Sequence, residues 1–557
     1  MDYPFVHGRL PYGWLDVPVY WPQRLIHIPS MTSISRDDGN IYKYKDIMAK
    51  EPEYGTLSYT WGRWRVKDKP DAPPVLPIKN TPWQIPAVEE AHFTTENFQK
   101  VIQNIHKSGV DWVWIDVGCI DQRRGSTQAA VEIGRQASIF KQAKSTFVWL
   151  SRLDCIQLAQ AIDDILDYGG QLYDHIDIGI EGVDFDNVMD KLQTVSEYLF
   201  SDPWFSSLWT LQEIVLRNDA IVLSTEGESV PWKVARQDQR TYMTMLINHC
   251  QNVYTSLEKA IEKTKTVYSE QYPEKTMNAI QRVKQLILQV GFYYLFSTNP
   301  NVQFGTARYR TTKRAEDRIY GIMQIYNLCV GRSARPEENP SMEELVIEFA
   351  AAINYNSAIL GQFFVHVSRP KRGYTWRITE ESTVPNSLIM YRDPNDMATI
   401  NVDLDENCIA AGKCCQLPML LSAAKEAGDI APSHAVDGWG LKFEILLDNH
   451  INDAASFNAA NQQHFMERRN SGTEIDLKDV LVLWLGNVQA EFSYRSNTYF
   501  RRNVGLLLSV QNHNTGEGVL HYERLGIAVW TTGEKSTPFE VPIRSIPWEW
   551  YDQLVLK

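Results

Sequence analysis

Asp111–Ile120 reads DWVWIDVGCI, an almost unbroken apolar run with single acids at Asp111 and Asp116. Its length and its Val, Ile and Trp content suit a strand buried on both faces, as in a parallel sheet. Working outward, the segments on either side alternate in type. Upstream, Tyr54–Thr60 (YGTLSYT) is β-prone and is closed by Trp61-Gly62, where glycine permits a sharp turn. A proline-rich loop follows through Pro86, and Phe93–Lys107 then places Phe98, Val101, Ile102 and Ile105 at helical spacing. Downstream, Ser126–Lys144 is helical in period through Ile133, Ala137 and Phe140, and Thr146–Leu150 (TFVWL) is a second buried-type strand. Val188, Leu192, Val195 and Leu199 mark another amphipathic helix, and Ala220–Ser224 (AIVLS) a further strand.

Strands alternating with helices in this way predict an α/β fold, a doubly wound parallel sheet. Ligands of such sheets bind beyond the carboxyl ends of the strands, near the topological switch point. The residues to read for chemistry are therefore Ser58–Gly62, Asp116–Gln122 and Ser151–Asp154.

At 557 residues the chain exceeds what one core organises, so several domains are expected. Residues 1–50 are expected to form a lead-in segment laid over a neighbouring domain, with a short strand at Arg24–Ile28. Residues 51–230 form the α/β domain, 231–355 a helical region, and 356–557 a β-rich C-terminal region. In the last of these, strands are expected at Val480–Leu485, Gly505–Gln511 and Gly526–Thr531, with a turn at Asn514-Thr515-Gly516. Ser341 and Glu344 have capping-box spacing ahead of a helix.

The net charge of -13 argues against a nucleic-acid or anionic-membrane binder. Seven cysteines form no CxxC pair and no even framework, so reduced thiols in a cytoplasmic protein are expected. The vicinal Cys414 and Cys415 suit either a redox pair or buried small residues. The N-terminus lacks a signal peptide's basic head and apolar core, and no apolar run reaches the ~20 residues of a membrane span.

Several motifs are missing. There is no GxxxxGK[ST], no GxGxxG after a strand, no GxSxG and no HExxH. Asp403, Asp405 and Asn407 imitate a calcium loop. Cys408, however, stands where glycine is needed and Cys414 where the closing glutamate belongs, so no metal is expected.

Two stretches carry candidate chemistry. Ser201–Leu216, SDPWFSSLWTLQEIVL, opens with a capping Asp202 and Pro203. Trp209 and Glu213 are four residues apart and share a helix face. A lone acid in so apolar a segment needs a partner or a task; taken alone, it reads first as a solvated or arginine-paired carboxylate. The loop after Gly62 carries Arg63, Arg65, Lys67 and Lys69 around Trp64. It suits a phosphate-bearing ligand or a plain solvated surface.

Three segments together resemble the fungal heterokaryon-incompatibility (HET) domain. They are YGTLSYTWG at Tyr54–Gly62, WVWIDVGCIDQ at Trp112–Gln122 with Glu132, Gln136 and Ala143–Leu150 following, and PWFSSLWTLQEI at Pro203–Ile214. RAEDRIYGIMQI at Arg314–Ile325 resembles a motif that commonly follows this domain. Asp121 stands where the family commonly has asparagine, Ser151 where it often has glycine, and Ser206 and Ser207 where it usually has at least one arginine.

HET domains are in turn similar to TIR domains, which implies a TIR/flavodoxin-like sheet for residues 51–230. Ser207-Leu208-Trp209 with Glu213-Ile214 resembles the TIR pattern whose glutamate is required for cleaving NAD at the nicotinamide–ribose bond. The resemblance implies Glu213 as the catalytic residue. Trp61 and Trp209 would stack on nicotinamide or adenine, Ser58 and the basic loop that starts at Arg63 would meet the diphosphate, and Gly62 and Asp116 would line the site. Trp61 alternatively only packs the turn, and Asp116 only caps it. NAD is then a substrate, and no cofactor is implied.

The resemblance leaves two functions open. One is an NAD glycohydrolase that drives programmed cell death after self-association through the HET domain. The other is a non-catalytic signalling and self-association module, working with an unknown incompatibility partner protein.

Overall fold

The computed structural model describes residues 19–66, 72–231, 240–264, 272–368, 370–371, 373–385, 388–389, 391–403, 406–426, 444–448, 477–493, 498–511, 520–533 and 546–556. Lys67, Lys69, Asp405 and the Asn514–Gly516 turn lie outside these residues. The chain divides into two compact units, Met1–Phe296 with Thr306–Met342, and Ser297–Gly305 with Glu343–Lys557.

The first unit is built on a six-stranded sheet. Strands β1 (Arg24–His27) and β2 (Thr32–Ser35) form an antiparallel pair, and a small hairpin follows as β3 (Ile41–Tyr44) and β4 (Ile47–Lys50). Four parallel strands come next: β5 (Tyr54–Ser58), β6 (Trp112–Trp114), β7 (Ser145–Trp149) and β8 (Ile221–Leu223). The spatial order is β2-β1-β6-β5-β7-β8. The four parallel strands thus run second, first, third, fourth, and the chain reverses direction across the sheet between β5 and β7. Residues 24–35 extend this sheet, with β1 antiparallel to β6, and so do not merely lie over it.

The helices arise where the apolar spacing places them. Helix α1 (Thr95–Lys107) buries Phe98, Val101, Ile102 and Ile105, and starts at a capping box between Thr94 and Asn97. The run at 111–120 is strand only over its first part. Asp116 accepts the backbone N–H of Val117 at 2.8 Å and turns the chain into α2 (Asp116–Cys119). Gly118 lets that turn press on the sheet, since a Cβ there would come 2.6 Å from Ile78 Cδ1 and 2.7 Å from Ile26 Cδ1. The expected helix at 126–144 is two helices, α3 (Thr127–Ile133) and α4 (Gln136–Gln142), broken at Gly134-Arg135. Helices α5 (Cys155–Tyr173) and α6 (Phe185–Phe200) pack against each other. The stretch at 201–216 is also divided. Asp202 caps a 3-10 turn at Pro203–Ser206, Ser207 is extended, and α7 runs Leu208–Leu216.

In the second unit, residues 480–493, 498–511, 521–533, 549–556 and 408–416 pair in that sequence, and 408–416 pairs back onto 480–493. The five strands therefore close a ring. The three strands expected there from sequence are present but longer. Cys414 and Cys415 sit on adjacent buried positions of one strand, with both thiols pushed up to about 12 by burial, as inert core residues are. No described helix is long and apolar enough to cross a membrane.

Candidate functional site

A cleft of about 1160 Å³ opens in the first unit beyond the carboxyl ends of β5 and β6. Four segments line it: 59–66 after β5, 116–136 through α2 and α3, Ser207 to Glu213 on α7, and 311–340. The cleft thus lies on the β6 side of the switch point between β5 and β7, and Ser151–Asp154 after β7 do not line it.

Asp116 is the hub of one wall. Its Oδ2 accepts the Trp61 indole N–H at 2.6 Å, and its Oδ1 accepts the Tyr59 hydroxyl at 2.8 Å and the Val117 backbone N–H. Burial still holds its carboxyl above the ordinary range, because desolvation outweighs the three donors. With both oxygens engaged, Asp116 orients Trp61 and Tyr59.

Glu213 faces this group from α7. It is half-buried, and its Oε2 is enclosed without a hydrogen-bond partner among the described residues. Burial pushes its carboxyl up to about 8. The Ser58 hydroxyl within hydrogen-bonding range pulls the other way, and the nearby Asp116 pushes further up. An enclosed acid oxygen with no donor, beside an open cleft, is the pattern of a group kept for a ligand.

Burial of this kind ties stability to pH. A carboxyl raised in the folded state favours folding while protonated, so its contribution is intact at low pH and is lost as pH rises through about 8. Glu213→Gln carries no such titration. The melting temperature of the wild type should therefore fall relative to Glu213→Gln between pH 6 and 9. A constant difference across that range refutes the burial argument.

The remaining candidates separate. Ser58 is 1% exposed and does not line the cleft; its Oγ accepts the Trp204 indole N–H at 2.8 Å, which corrects the expectation that it meets a diphosphate. Arg63 lines the cleft, but its guanidinium is spent. It donates to Thr311 Oγ1 at 2.6 Å, to the Pro203 carbonyl at 2.9 Å and to Ser206 Oγ at 3.1 Å, and lies 4.7 Å over Trp64. Its job is to tie the β5 loop to the turn before α7. Ser206 is thus one of its acceptors.

Gly62 has no left-handed backbone, so no sharp turn requires glycine; a Cβ there meets open space at the cleft wall. Trp209 lines the cleft one helical turn before Glu213, with its N–H on the Asp317 carboxyl.

Sequence reasoning missed several contributors. Tyr59 and Trp204 stood inside quoted motifs without a role. Arg314, Glu316, Asp317 and Tyr320 come from the segment after the domain and line the same cleft. Behind α7, Gln212 donates to Gln136 at 2.8 Å and accepts the Gln324 backbone N–H at 3.1 Å, while Gln324 accepts the Ala137 N–H. This buried amide chain joins α4, α7 and the 314–325 motif.

Among the cleft's cations, Arg123 pairs with Asp121 and Arg332 donates to the Gly125 carbonyl. Lys313 donates to the Gly62 carbonyl. Arg65 and Arg124 have no side-chain hydrogen bond or ion pair among the described residues. No group of three or more His, Cys, Asp or Glu side chains that could hold a metal occurs among the described residues.

Residues 54–213 match the family model for heterokaryon incompatibility protein (HET). The match begins at the first residue of β5 and ends at Glu213, and so frames the β5-loop and α7 walls of the cleft. No curated protein matches the chain, and no solved structure matches it either.

Proposed function

We propose, from the premise that residues 54–213 form a HET domain, that this protein executes heterokaryon incompatibility by cleaving NAD at the nicotinamide–ribose bond. The HET domain supports the incompatibility role. The observation that carries the chemistry is the enclosed Glu213 Oε2, without a partner among the described residues, in a cleft beside Trp61 and Trp209. The parallel strand order second-first-third-fourth supports the TIR-like relation from which the reaction is drawn.

In that reaction the C1′–N bond breaks, and its electron pair passes to the pyridinium ring, which leaves as neutral nicotinamide. The ribose becomes oxocarbenium-like, and water adds at C1′ with loss of a proton. Glu213 as a carboxylate stabilises the positive ribose. It rests protonated near neutral pH; the cationic ring of a bound NAD favours its ionised form, so binding and ionisation are coupled. Trp61, fixed by Asp116, and Trp209, fixed by Asp317, offer aromatic faces at the cleft.

Arg65 and Arg124, without a side-chain partner among the described residues, suit the diphosphate better than Arg63 does. Replacing both with alanine should raise the KM for NAD about tenfold, the loss of roughly 1.4 kcal/mol of charge-assisted binding, with kcat little changed. An unchanged KM removes them from the binding site. The direct test of the reaction is to incubate the concentrated protein with NAD and follow nicotinamide release, because the TIR-like relation implies that self-association is needed. No release from a self-associated sample rejects the enzyme and leaves a non-catalytic signalling role.

A further inference from the structure

Ser58 and Trp204 form a buried pair directly behind Glu213 that the reaction does not obviously require. Trp204 is 0% exposed and Ser58 1%, and the indole N–H of Trp204 occupies a lone pair of the Ser58 hydroxyl at 2.8 Å. That hydroxyl keeps its proton to give. It lies in range of Glu213, whose Oε2 in turn has no donor among the described residues. An indole N–H can only donate, so it forces the serine to present its own proton elsewhere. Trp204 is itself held rigidly, with its carbonyl accepting from Thr210 Oγ1 at 2.6 Å and from Arg310 Nη1 at 3.1 Å.

We infer that Ser58, oriented by Trp204, is a positioning residue that gives its hydrogen bond to Glu213 when the acid ionises, and so holds the carboxylate aimed at the cleft. This rests on the proposed role of Glu213. With Glu213 neutral, the enclosed oxygen is unpaired at modest cost; with Glu213 charged, the waiting donor meets it, and charge-assisted bonds are the stronger kind. The other titratable groups facing Glu213 are Asp116 on α2 and Tyr59 after β5, which donates to Asp116. Asp317 is engaged by Trp209 and Thr312.

The test reads Glu213 directly. The carboxyl stretching band of protonated Glu213, isolated as the infrared difference between wild type and Glu213→Gln, is titrated from pH 6 to 10. The same titration is run on Ser58→Ala and Trp204→Phe, each against its own double variant with Glu213→Gln. Losing the donor moves the midpoint up by about one unit in Ser58→Ala, a tenfold change in the ionisation constant, with a smaller shift the same way in Trp204→Phe. Ser58→Ala should also lower kcat for nicotinamide release more than it raises KM, with its pH profile displaced like the band.

An unmoved midpoint in Ser58→Ala overturns the assignment, whatever the activity does. If the midpoint moves but the wild type releases no nicotinamide, the NAD reaction fails while the Ser58–Glu213 coupling stands. Trp204→Phe keeps the question open to refutation if Ser58→Ala does not fold.

Discussion

Glu213→Gln should lower nicotinamide release from NAD by at least about 100-fold, the scale on which one preorganised electrostatic group stabilises a transition state. Glutamine keeps the volume and polarity of the side chain but cannot become an anion. The oxocarbenium-like ribose then faces a neutral amide where a carboxylate would have stood, and the attraction of the anion is lost. The fold should survive, because no described residue relies on Glu213 Oε2 and the carboxyl is raised by burial rather than held by an ion pair. A catalytic group that costs stability when charged is expected at an active site and unexpected at a structural one. Nicotinamide release at wild-type rate from a folded Glu213→Gln protein would falsify the catalytic assignment. Cell killing that persists in this variant would favour the signalling module instead.

The sheet was legible because its strands are short and strongly apolar, and Tyr54–Ser58 and Ser145–Trp149 fall within two residues of where the sequence places them. What misled was apolarity without period. The run at 111–120 reads as one strand, yet Asp116 and Gly118 convert its second half into a helical turn that is pressed onto Ile26 and Ile78. Helix α5 was missed although Leu158, Ala161, Ile162 and Ile165 carry helical spacing.

At the cleft, the sequence identified groups but not their commitments. Arg63 looked free because its partner Thr311 is 248 positions away, and Ser58 looked exposed because Trp204 is 146 positions away. Likewise, nothing local indicates that the motif at 314–325 closes the site first suggested by 54–62 and 203–214. Side-chain type and spacing reveal a face; whether a cation is spent or spare depends on contacts of high sequence separation.

One of those long-range contacts predicts the second large effect, and it falls on stability. Arg310 is 1% exposed and has no carboxylate partner in its hydrogen bonds. Its guanidinium donates instead to three main-chain carbonyls, Trp204 at 3.1 Å, Ser207 at 3.3 Å and Val290 at 2.5 Å. Burial pulls its proton affinity down to about 9, so it stays charged at neutral pH. Arg310→Met matches the chain's bulk and removes the cost of burying a cation, yet leaves the Val290 carbonyl without its guanidinium donor and takes a donor from the Trp204 and Ser207 carbonyls, which keep Thr210 Oγ1. A net loss of about 2 kcal/mol is expected, a fall of a few degrees in the melting temperature of the first unit.

Two of those carbonyls belong to the 203–207 segment that sets the start of α7. The variant should therefore also lose kcat for nicotinamide release at temperatures where it is fully folded. Arg310→Lys restores one donor direction but not the planar fork, and should recover only part of both. If Arg310→Met melts with the wild type, the guanidinium contributes no net stability and the 203–207 segment is held by its bonds to Arg63, Thr210 and Thr311 and by the Asp202 cap. If stability falls while kcat per folded molecule stays constant, the placement of Glu213 does not depend on this anchor.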